Sequence, residues 1–125
     1  MLADRDVIAT VAVKDLAKGR RFYEGTLGLK VASAEGAEAV TFRSGRSSLI
    51  VYRSQFAGTN QATALNWSVG DELEKIVDSL KDRGVTFEHY DLPGSVRNGD
   101  VHVMGSMRMA WFKDPDGNII ALMSH

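Results

Sequence analysis

The sequence repeats one pattern of strand, helix and glycine with an offset of 56 residues. Asp15 follows a β-branched run and recurs as Asp71, and Gly28 recurs as Gly84 at the same offset. Aspartate is a preferred residue at a helix N-terminus, and glycine is the usual residue just beyond a helix C-terminus. A helix start and a helix end that share one offset indicate two tandem copies of the same structural unit.

Each copy is predicted to fold as a βαβββ unit. The run 7–13 forms the first strand, with both faces at least partly buried, and a helix over 15–27 follows it. The second helix, over 71–83, begins with Asp71 and Glu74 as a capping-box pair and has apolar residues at helical spacing. The remaining predicted strands are 29–33, 37–43 and 47–53 in the first copy, and 63–69, 85–89, 107–113 and 118–123 in the second.

Both copies are predicted to end in a hairpin, and the two hairpin turns show that the second copy is longer. In the second turn, Asp114 can accept hydrogen bonds from the backbone, Pro115 presets φ and Gly117 closes the reversal. The corresponding glycine in the first hairpin is Gly45, 72 residues earlier. The second copy therefore contains about 16 additional residues, which lie in the loop-like stretch 90–107.

These elements predict an α+β protein with two tandem βαβββ units that form a cupped mixed sheet. Residues 1–54 make the first unit and 63–125 the second. Residues 55–62 form the linker, because they are polar and contain a glycine. The two units are expected to make one structural domain.

Charge and composition exclude several classes of function. The chain has 15 basic and 16 acidic residues and no sustained run of one sign, so no nucleic acid or membrane partner is expected. The absence of cysteine excludes a disulfide scaffold, a thiolate zinc site and a cysteine nucleophile. No apolar run approaches the roughly 20 residues that span a bilayer, and the N-terminus lacks a signal-peptide core. A cytoplasmic location is expected.

Two motifs connect the chain to a known family. The first, Val-x-Asp-Leu with a later Phe-Tyr and Leu-Gly, lies in residues 13–28, and the second, Phe-x-Asp-Pro-Asp-Gly-Asn, in residues 112–118. These motifs resemble those of the vicinal-oxygen-chelate superfamily, which includes glyoxalases, bleomycin-resistance proteins, extradiol dioxygenases and fosfomycin-resistance enzymes. The resemblance implies paired βαβββ units that enclose a pocket, often in a dimer.

The resemblance also implies where a metal would bind. Metal-dependent members carry ligands at positions that correspond here to Ile8, Ala64, Ala121 and a residue within 49–51. Aliphatic side chains have no lone pair to offer a cation. The usual metal site is therefore absent, and no cofactor is expected.

The resemblance implies that Ile8, Ala64 and Ala121, at the family's ligand positions, line the pocket, and strand alternation adds Thr10, Asn66 and Trp111. Trp111 alternates with Phe112, which is expected to pack under a helix, whereas Trp67 is expected in the core. The pocket should be apolar with a few polar groups, and residues 93–106 should roof it. The predicted ligand-binding residues are Ile8, Thr10, Ala64, Asn66, His102, Trp111 and Ala121.

The three histidines and two arginines are further candidates for chemistry. His102 lies in the predicted roof of the pocket and could take part in chemistry there. The alternative interpretation is that His89, His102 and His125 are exposed loop or terminal histidines without a role. Arg97 and Arg108 can bind a carboxylate or a phosphate.

Three functions agree with these features. The first is a metal-independent binding protein of the glyoxalase/bleomycin-resistance type that holds an apolar or aromatic small molecule. The second is a lyase, isomerase or dioxygenase of the superfamily, with a displaced metal or acid/base site near His102. The third is a dimeric interaction module without a ligand. The missing metal ligands favour the first. A homodimer is expected, because units of about 60 residues bury little apolar surface alone.

Overall fold

A computed structural model describes residues 1–124, without the side chain of Glu35. The chain forms two compact units, Met1–Thr59 and a second unit that begins at Asn60. Both units combine one helical region with a mixed sheet, which confirms the predicted α+β class.

Unit 1 contains a four-stranded sheet in the order β1-β4-β3-β2. The strand β1 is parallel to β4, and the other neighbours are antiparallel. The hairpin of β3 and β4 matches the prediction closely, with Gly45 at a φ of 58° in its turn. The elements are β1 Ala9–Val13, α1 Leu16–Arg20, a π-helical segment Arg21–Thr26, β2 Lys30–Glu35, β3 Ala39–Ser44 and β4 Ser47–Arg53.

Unit 2 contains a six-stranded sheet in which the same arrangement recurs. The main order is β5-β10-β9-β8-β7, and the short strand β6 also pairs with β9. The strand β5 lies at one edge of this sheet and is parallel to β10, just as β1 is parallel to β4 in unit 1. The elements are β5 Thr63–Ser68, a 3₁₀ turn Gly70–Glu72, α2 Leu73–Asp82, β6 Phe87–Glu88, β7 Val96–Asn98, β8 Val101–Met104, β9 Met107–Lys113 and β10 Ile119–Ser124.

The first helical region has the predicted extent but not a uniform α-helical form. Asp15 caps it, because its side chain accepts a hydrogen bond from the Lys18 backbone N–H at 3.1 Å. The segment Arg21–Thr26 is π-helical, and the Leu27 N–H reaches the Phe22 carbonyl five residues back at 2.9 Å. The helix predicted over 15–27 is therefore confirmed, although its second half is π-helical and not α-helical.

The second helix begins later than predicted. The chain makes a 3₁₀ turn at Gly70–Glu72, where Gly70 has a φ of 56°, and α2 starts only at Leu73. No side-chain hydrogen bond caps either segment, so the predicted capping box of Asp71 and Glu74 is wrong. The predicted apolar face is confirmed, since Leu73, Val77 and Leu80 are buried.

Two other predictions of local structure are wrong. The strand β1 starts at Ala9, and Val7 is 92% exposed, so the N-terminal part of the run 7–13 is neither a strand nor buried. The stretch 90–107 is not simply a loop, because it contains the hairpin of β7 and β8. This hairpin adds two strands to the sheet next to β9.

Each unit has its own core. In unit 1 the helix crosses β1 closely at Gly19, where an added Cβ would lie 3.0 Å from both γ-carbons of Val13. The buried Tyr23 ring packs against Phe42 with a centroid separation of 6.2 Å. In unit 2, Phe87 and Phe112 pack edge to face at 5.5 Å. Within residues 1–124, no helix is both long enough and apolar enough to cross a membrane.

The closing turn of unit 2 is built around the Asp114 carboxylate, as predicted. One oxygen accepts from the backbone N–H groups of Asp116 and Asn118, both at 2.9 Å. The other accepts from the Asn118 side-chain amide at 2.7 Å. This network fixes the turn between β9 and β10 and with it the register of the two strands.

Candidate functional site

The register of unit 2 places one polar and sulfur-containing row across five strands. Residues that face each other across a strand pair project from the same side of the sheet. The pairings link Arg97 to His102, His102 to Met109, Met109 to Met123 and Met123 to Ser68. These five side chains therefore share one face of the sheet, which we call face A.

The next row on face A contains three of the predicted ligand-binding residues. Trp111 pairs with Ala121, which pairs with Asn66, and Glu88 pairs with Trp111 from the other side. With His102 from the first row, four of the seven predicted residues share this face. Trp111 and Ala121 are buried, while Asn66 is exposed and its amide donates to the Met123 sulfur at 2.9 Å.

The other three predicted residues do not belong to this group. Ala64 is the extra residue in a β-bulge, between Thr63 opposite Ile119 and Leu65 opposite Ile120, and it is exposed. A bulge removes a residue from the alternation of the strand, which the sequence pattern does not reveal. Ile8 precedes β1 and Thr10 lies on it, so both belong to unit 1, and both are exposed.

His102, Tyr90 and Trp111 form an aromatic cluster on face A. The Trp111 ring meets His102 at a centroid distance of 4.9 Å and Tyr90 at 5.3 Å, both nearly perpendicular. The Tyr90 and His102 rings are 6.3 Å apart. The Trp111 indole N–H donates to the Thr63 hydroxyl at 3.3 Å, which fixes the orientation of the indole. His102 is fully buried, so the alternative of an exposed loop histidine is wrong.

The tautomer of His102 follows from one hydrogen bond. The Tyr90 backbone N–H donates to His102 Nε2 at 3.0 Å, so Nε2 carries no hydrogen. The hydrogen of the neutral ring is then on Nδ1. Within residues 1–124, this buried Nδ1 has no hydrogen-bond partner. His102 therefore presents an unpaired N–H donor inside the aromatic cluster.

The Tyr90 hydroxyl is a second unpaired group in the same cluster. It too is buried and has no hydrogen-bond partner among the described residues. Burial, followed by the negative charge of Glu88, raises the pKa of the Tyr90 phenol above its ordinary value of 10.0. The group is therefore a neutral hydroxyl at physiological pH, able both to donate and to accept.

Tyr90 also lines a cleft of about 320 Å³, together with His89, Asp91, Ser95 and Arg97. This volume lies at the small end of the range for ligand pockets, roughly 300–1,000 Å³. Unit 1 has a larger cleft of about 670 Å³, but both arginines that line it pair with glutamates of the same unit. Arg53 pairs there with Glu38 and Arg20 with Glu24.

A chain of polar contacts holds in place two of the residues that line this cleft, His89 and Arg97. The Lys81 ammonium lies 2.8 Å from Asp100 Oδ2, and His89 Nε2 lies 2.7 Å from Asp100 Oδ1. Arg97 Nη1 lies 2.9 Å from His89 Nδ1 and 3.1 Å from the Gly99 carbonyl oxygen. Because a guanidinium only donates, Nδ1 accepts and Nε2 gives its hydrogen to Asp100. The separation of 3.2 Å between Arg97 Nη1 and Nε2 is therefore not a hydrogen bond.

Asp100 is ionised in this network. The hydrogen bond from Lys81, followed by that from His89, holds the pKa of its carboxyl below the ordinary value of 3.8. The same contact raises the pKa of the Lys81 ammonium. The β7–β8 turn is thus attached to α2 by the ion pair of Asp100 with Lys81, and to the segment after β6 by the hydrogen bond from His89.

The residues at the expected metal positions do not fit a metal ion. The side chains of Ile8, Ala64 and Ala121 carry no donor atom, and Ala64 is the bulge residue of β5, which has no partner on β10. In the described part of the chain, no three His, Asp or Glu side chains come together in a group that could hold a metal. His125, the third histidine considered from sequence, lies outside the described residues.

The sequence indicated Arg97 as a possible carboxylate-binding residue, but not its connection to Asp100 through His89. Alternation in the strand 101–104 places His102 on the face opposite Val101 and Val103, so it gives no signal that His102 itself is buried. Likewise, no sequence pattern predicts that Lys81 contacts Asp100 or that the Tyr90 hydroxyl lacks a partner. Both features depend on tertiary packing.

Comparison with known proteins identifies the family. The family model of the Glyoxalase/Bleomycin resistance protein/Dioxygenase superfamily matches residues 6–122. The chain belongs to this superfamily. No curated protein sequence matches it. The superfamily fold is shared at low identity with many solved structures, so these relatives establish the fold alone.

Three of these superfamily structures illustrate the range of functions. The lactoylglutathione lyase of Agrobacterium tumefaciens is 17% identical, with a TM-score of 0.72 over 97% of this chain and 93% of that one. TnmS3, an antibiotic binding protein of Streptomyces sp. CB03234, is 23% identical, with a TM-score of 0.71 over 99% and 98%. The fosfomycin resistance protein FosX of Listeria monocytogenes is 16% identical, with a TM-score of 0.73 over 96% and 92%.

Proposed function

We propose that this protein binds a small, flat organic molecule at the aromatic cluster of His102, Tyr90 and Trp111, without a metal ion. The observation that supports the proposal is the pair of buried, unpaired polar groups in that cluster, His102 Nδ1 and the Tyr90 hydroxyl. A ligand that presents an acceptor such as a carbonyl oxygen would satisfy the His102 N–H, and its ring would pack against indole.

The energetic argument concerns what these groups cost when no ligand is bound. Leaving a buried donor or acceptor unpaired costs about 1–3 kcal/mol, and most buried polar groups in folded proteins are paired. A ligand that hydrogen-bonds to both groups would remove this cost, and the free energy recovered would contribute to its binding. The half-buried methionines on face A, Met109 and Met123, add an adaptable apolar surface beside the cluster.

Binding is favoured over turnover by the state of His102. A general base needs a ring nitrogen that is free to accept a proton. Nε2 already accepts from the Tyr90 backbone, and Nδ1 carries the hydrogen, so His102 is a donor and not a base. The antibiotic binding protein TnmS3, which shares the fold, gives an example of binding as the function of such a chain.

The test uses tryptophan emission and a matched pair of probes. Trp67 lies on the opposite face, paired with Leu122, so the variant Trp67→Phe isolates the signal of Trp111. We expect 2-acetylnaphthalene to change Trp111 emission and to bind roughly tenfold more tightly than 2-ethylnaphthalene, which lacks the carbonyl. In the matched variant Trp111→Phe, the remaining Trp67 should not respond. If neither naphthalene binds, the proposal fails. If the protein converts the ketone to a product, the proposed binding function is wrong and the protein is an enzyme.

A homodimer is part of the proposal. The edge strand β1 pairs only with β4 within the described residues, and the neighbouring Val7 and Ile8 are 92% and 49% exposed. An unpaired edge beside exposed apolar residues is a template for association with another chain. Light scattering at micromolar concentration should give the mass of a dimer, and Ile8→Lys should shift the protein towards monomer. A monomeric native protein would rule the dimer out.

A further inference from the structure

The cleft beside the aromatic cluster contains an arginine whose charge is not neutralised. Arg20, Arg53 and Arg108 each pair with a glutamate. Arg97, by contrast, has no carboxylate within ion-pair distance among the described residues. Its guanidinium is held by two neutral acceptors, His89 Nδ1 at 2.9 Å and the Gly99 carbonyl oxygen at 3.1 Å.

Both of these contacts use one nitrogen of the guanidinium, Nη1. The Nη2 and Nε donors therefore remain free of protein acceptors in residues 1–124, while the group as a whole is fixed in position. A fixed planar guanidinium with an open pair of donors is suited to a carboxylate, which accepts two parallel hydrogen bonds.

Asp91 supplies the opposite charge in the same cleft. It is exposed and, within the described chain, it makes no ion pair with Arg97 or with any other cation. The second nearby carboxylate, Asp100, is already neutralised by the Lys81 ammonium and accepts a hydrogen bond from His89. The cleft therefore presents one positive group, Arg97, and one negative group, Asp91, that do not pair with other charges in the described chain. A purely anionic ligand on Arg97 would leave Asp91 without a counter-charge and would be repelled by it.

We infer that this cleft is a subsite for the α-amino-carboxylate group of a zwitterionic ligand, with the carboxylate on Arg97 and the ammonium on Asp91. The inference rests on the proposed function, because Tyr90 lies both in the aromatic cluster and on the wall of the cleft. The cleft of about 320 Å³ has room for this group, and the proposal directs the aromatic part of the ligand past Tyr90 towards Trp111. The ligand class is thus an aromatic amino acid or a larger compound that contains one.

The experiment compares three naphthalene probes by the emission of Trp111 in the Trp67→Phe background. 3-(2-Naphthyl)alanine carries both charges, 3-(2-naphthyl)propionate lacks the ammonium, and 2-(2-naphthyl)ethylamine lacks the carboxylate. We expect the amino acid to bind roughly tenfold more tightly than either singly charged probe. Equal affinities of all three would overturn the inference. If 2-acetylnaphthalene still bound, the proposed function would stand, so the two failures are distinguishable.

Two substitutions assign the charges separately. Arg97→Gln should lower the affinity for naphthylalanine to that for naphthylethylamine, and Asp91→Asn should lower it to that for naphthylpropionate. Arg46→Gln, at an exposed arginine of unit 1, serves as the control and should change nothing. Because Arg97 also contacts His89, the variant Arg97→Lys tests folding, and it should keep the thermal stability and part of the affinity. An unchanged advantage of the amino acid in Arg97→Gln would overturn the inference.

Discussion

The Tyr90 backbone N–H donates to His102 Nε2 at 3.0 Å, and this contact sets the hydrogen-bonding state of the aromatic cluster. It fixes the hydrogen of the imidazole on Nδ1, and so makes His102 a donor rather than a base. It also brings the Tyr90 ring, and with it an unpaired hydroxyl, beside the same indole. The two groups that lack partners therefore lie in one local arrangement around Trp111.

The first prediction concerns the cost of the unpaired hydroxyl. Tyr90→Phe should raise the free energy of unfolding by about 1 kcal/mol, because it removes a buried polar group without a partner. For a domain of this size the gain corresponds to an increase of about 4 °C in Tm. The same variant should bind 2-acetylnaphthalene more weakly. Calorimetry and fluorescence titration measure the two effects.

The control for this prediction is Tyr52→Phe. The Tyr52 side chain is 40% exposed, so its hydroxyl is not a buried unpaired group, and the stability should change by less than about 0.5 kcal/mol. A loss of stability in Tyr90→Phe would show that the hydroxyl is hydrogen-bonded, for example to a buried water, and would contradict the assignment.

The second prediction compares the two aspartates related by the repeat. Asp15→Ala should lower the free energy of unfolding by about 1 kcal/mol, because it removes the hydrogen bond to the Lys18 N–H at the helix start. Asp71→Ala should change it by less than about 0.5 kcal/mol, because Asp71 caps no helix. Urea unfolding of both variants tests the difference. Equal losses would mean that Asp71 caps its helix after all.

This pair of aspartates also shows how far the fold could be predicted from sequence. The repeated aspartate and glycine signals located both units, because they are local and act within a few residues. They failed at the start of α2, where the Val69 N–H bonds to the Met123 carbonyl and Gly70 takes a positive φ. There a contact with a strand more than fifty residues away overrides the local capping signal.

The candidate site was less predictable than the fold. Alternation placed Trp111 and Phe112 on opposite faces correctly, since the period of two is a property of the strand itself. It grouped Asn66 with Ala64 wrongly, because a single bulge at Ala64 interrupts the alternation and leaves no mark in the sequence. The hairpin of β7 and β8 was mistaken for a loop, because its strands have only three and four residues between glycine-containing turns.

The last prediction follows from the ionised Asp100. Its pKa is lower in the folded protein than the ordinary 3.8, because Lys81 and His89 hydrogen-bond to the carboxylate. A lowered pKa means that the unfolded chain binds more protons near that pH, so stability falls as the pH decreases. The contribution of Asp100 is present above about pH 4 and is lost as the pH falls through the folded-state value.

Asp100→Asn should therefore be less stable than the native protein at pH 7, and the gap in the free energy of unfolding should narrow below pH 4. Urea unfolding at a series of pH values measures the gap. Lys81→Met should lose less stability than Asp100→Asn at pH 7, because His89 still hydrogen-bonds to the carboxylate, and its difference from the native protein should also narrow below pH 4. Glu72→Gln is the control, since Glu72 and Lys75 form an exposed pair at 3.9 Å whose loss should matter little at any pH. A gap for Asp100→Asn that stays constant down to pH 3 would show that the carboxylate contributes through its shape and not through its charge.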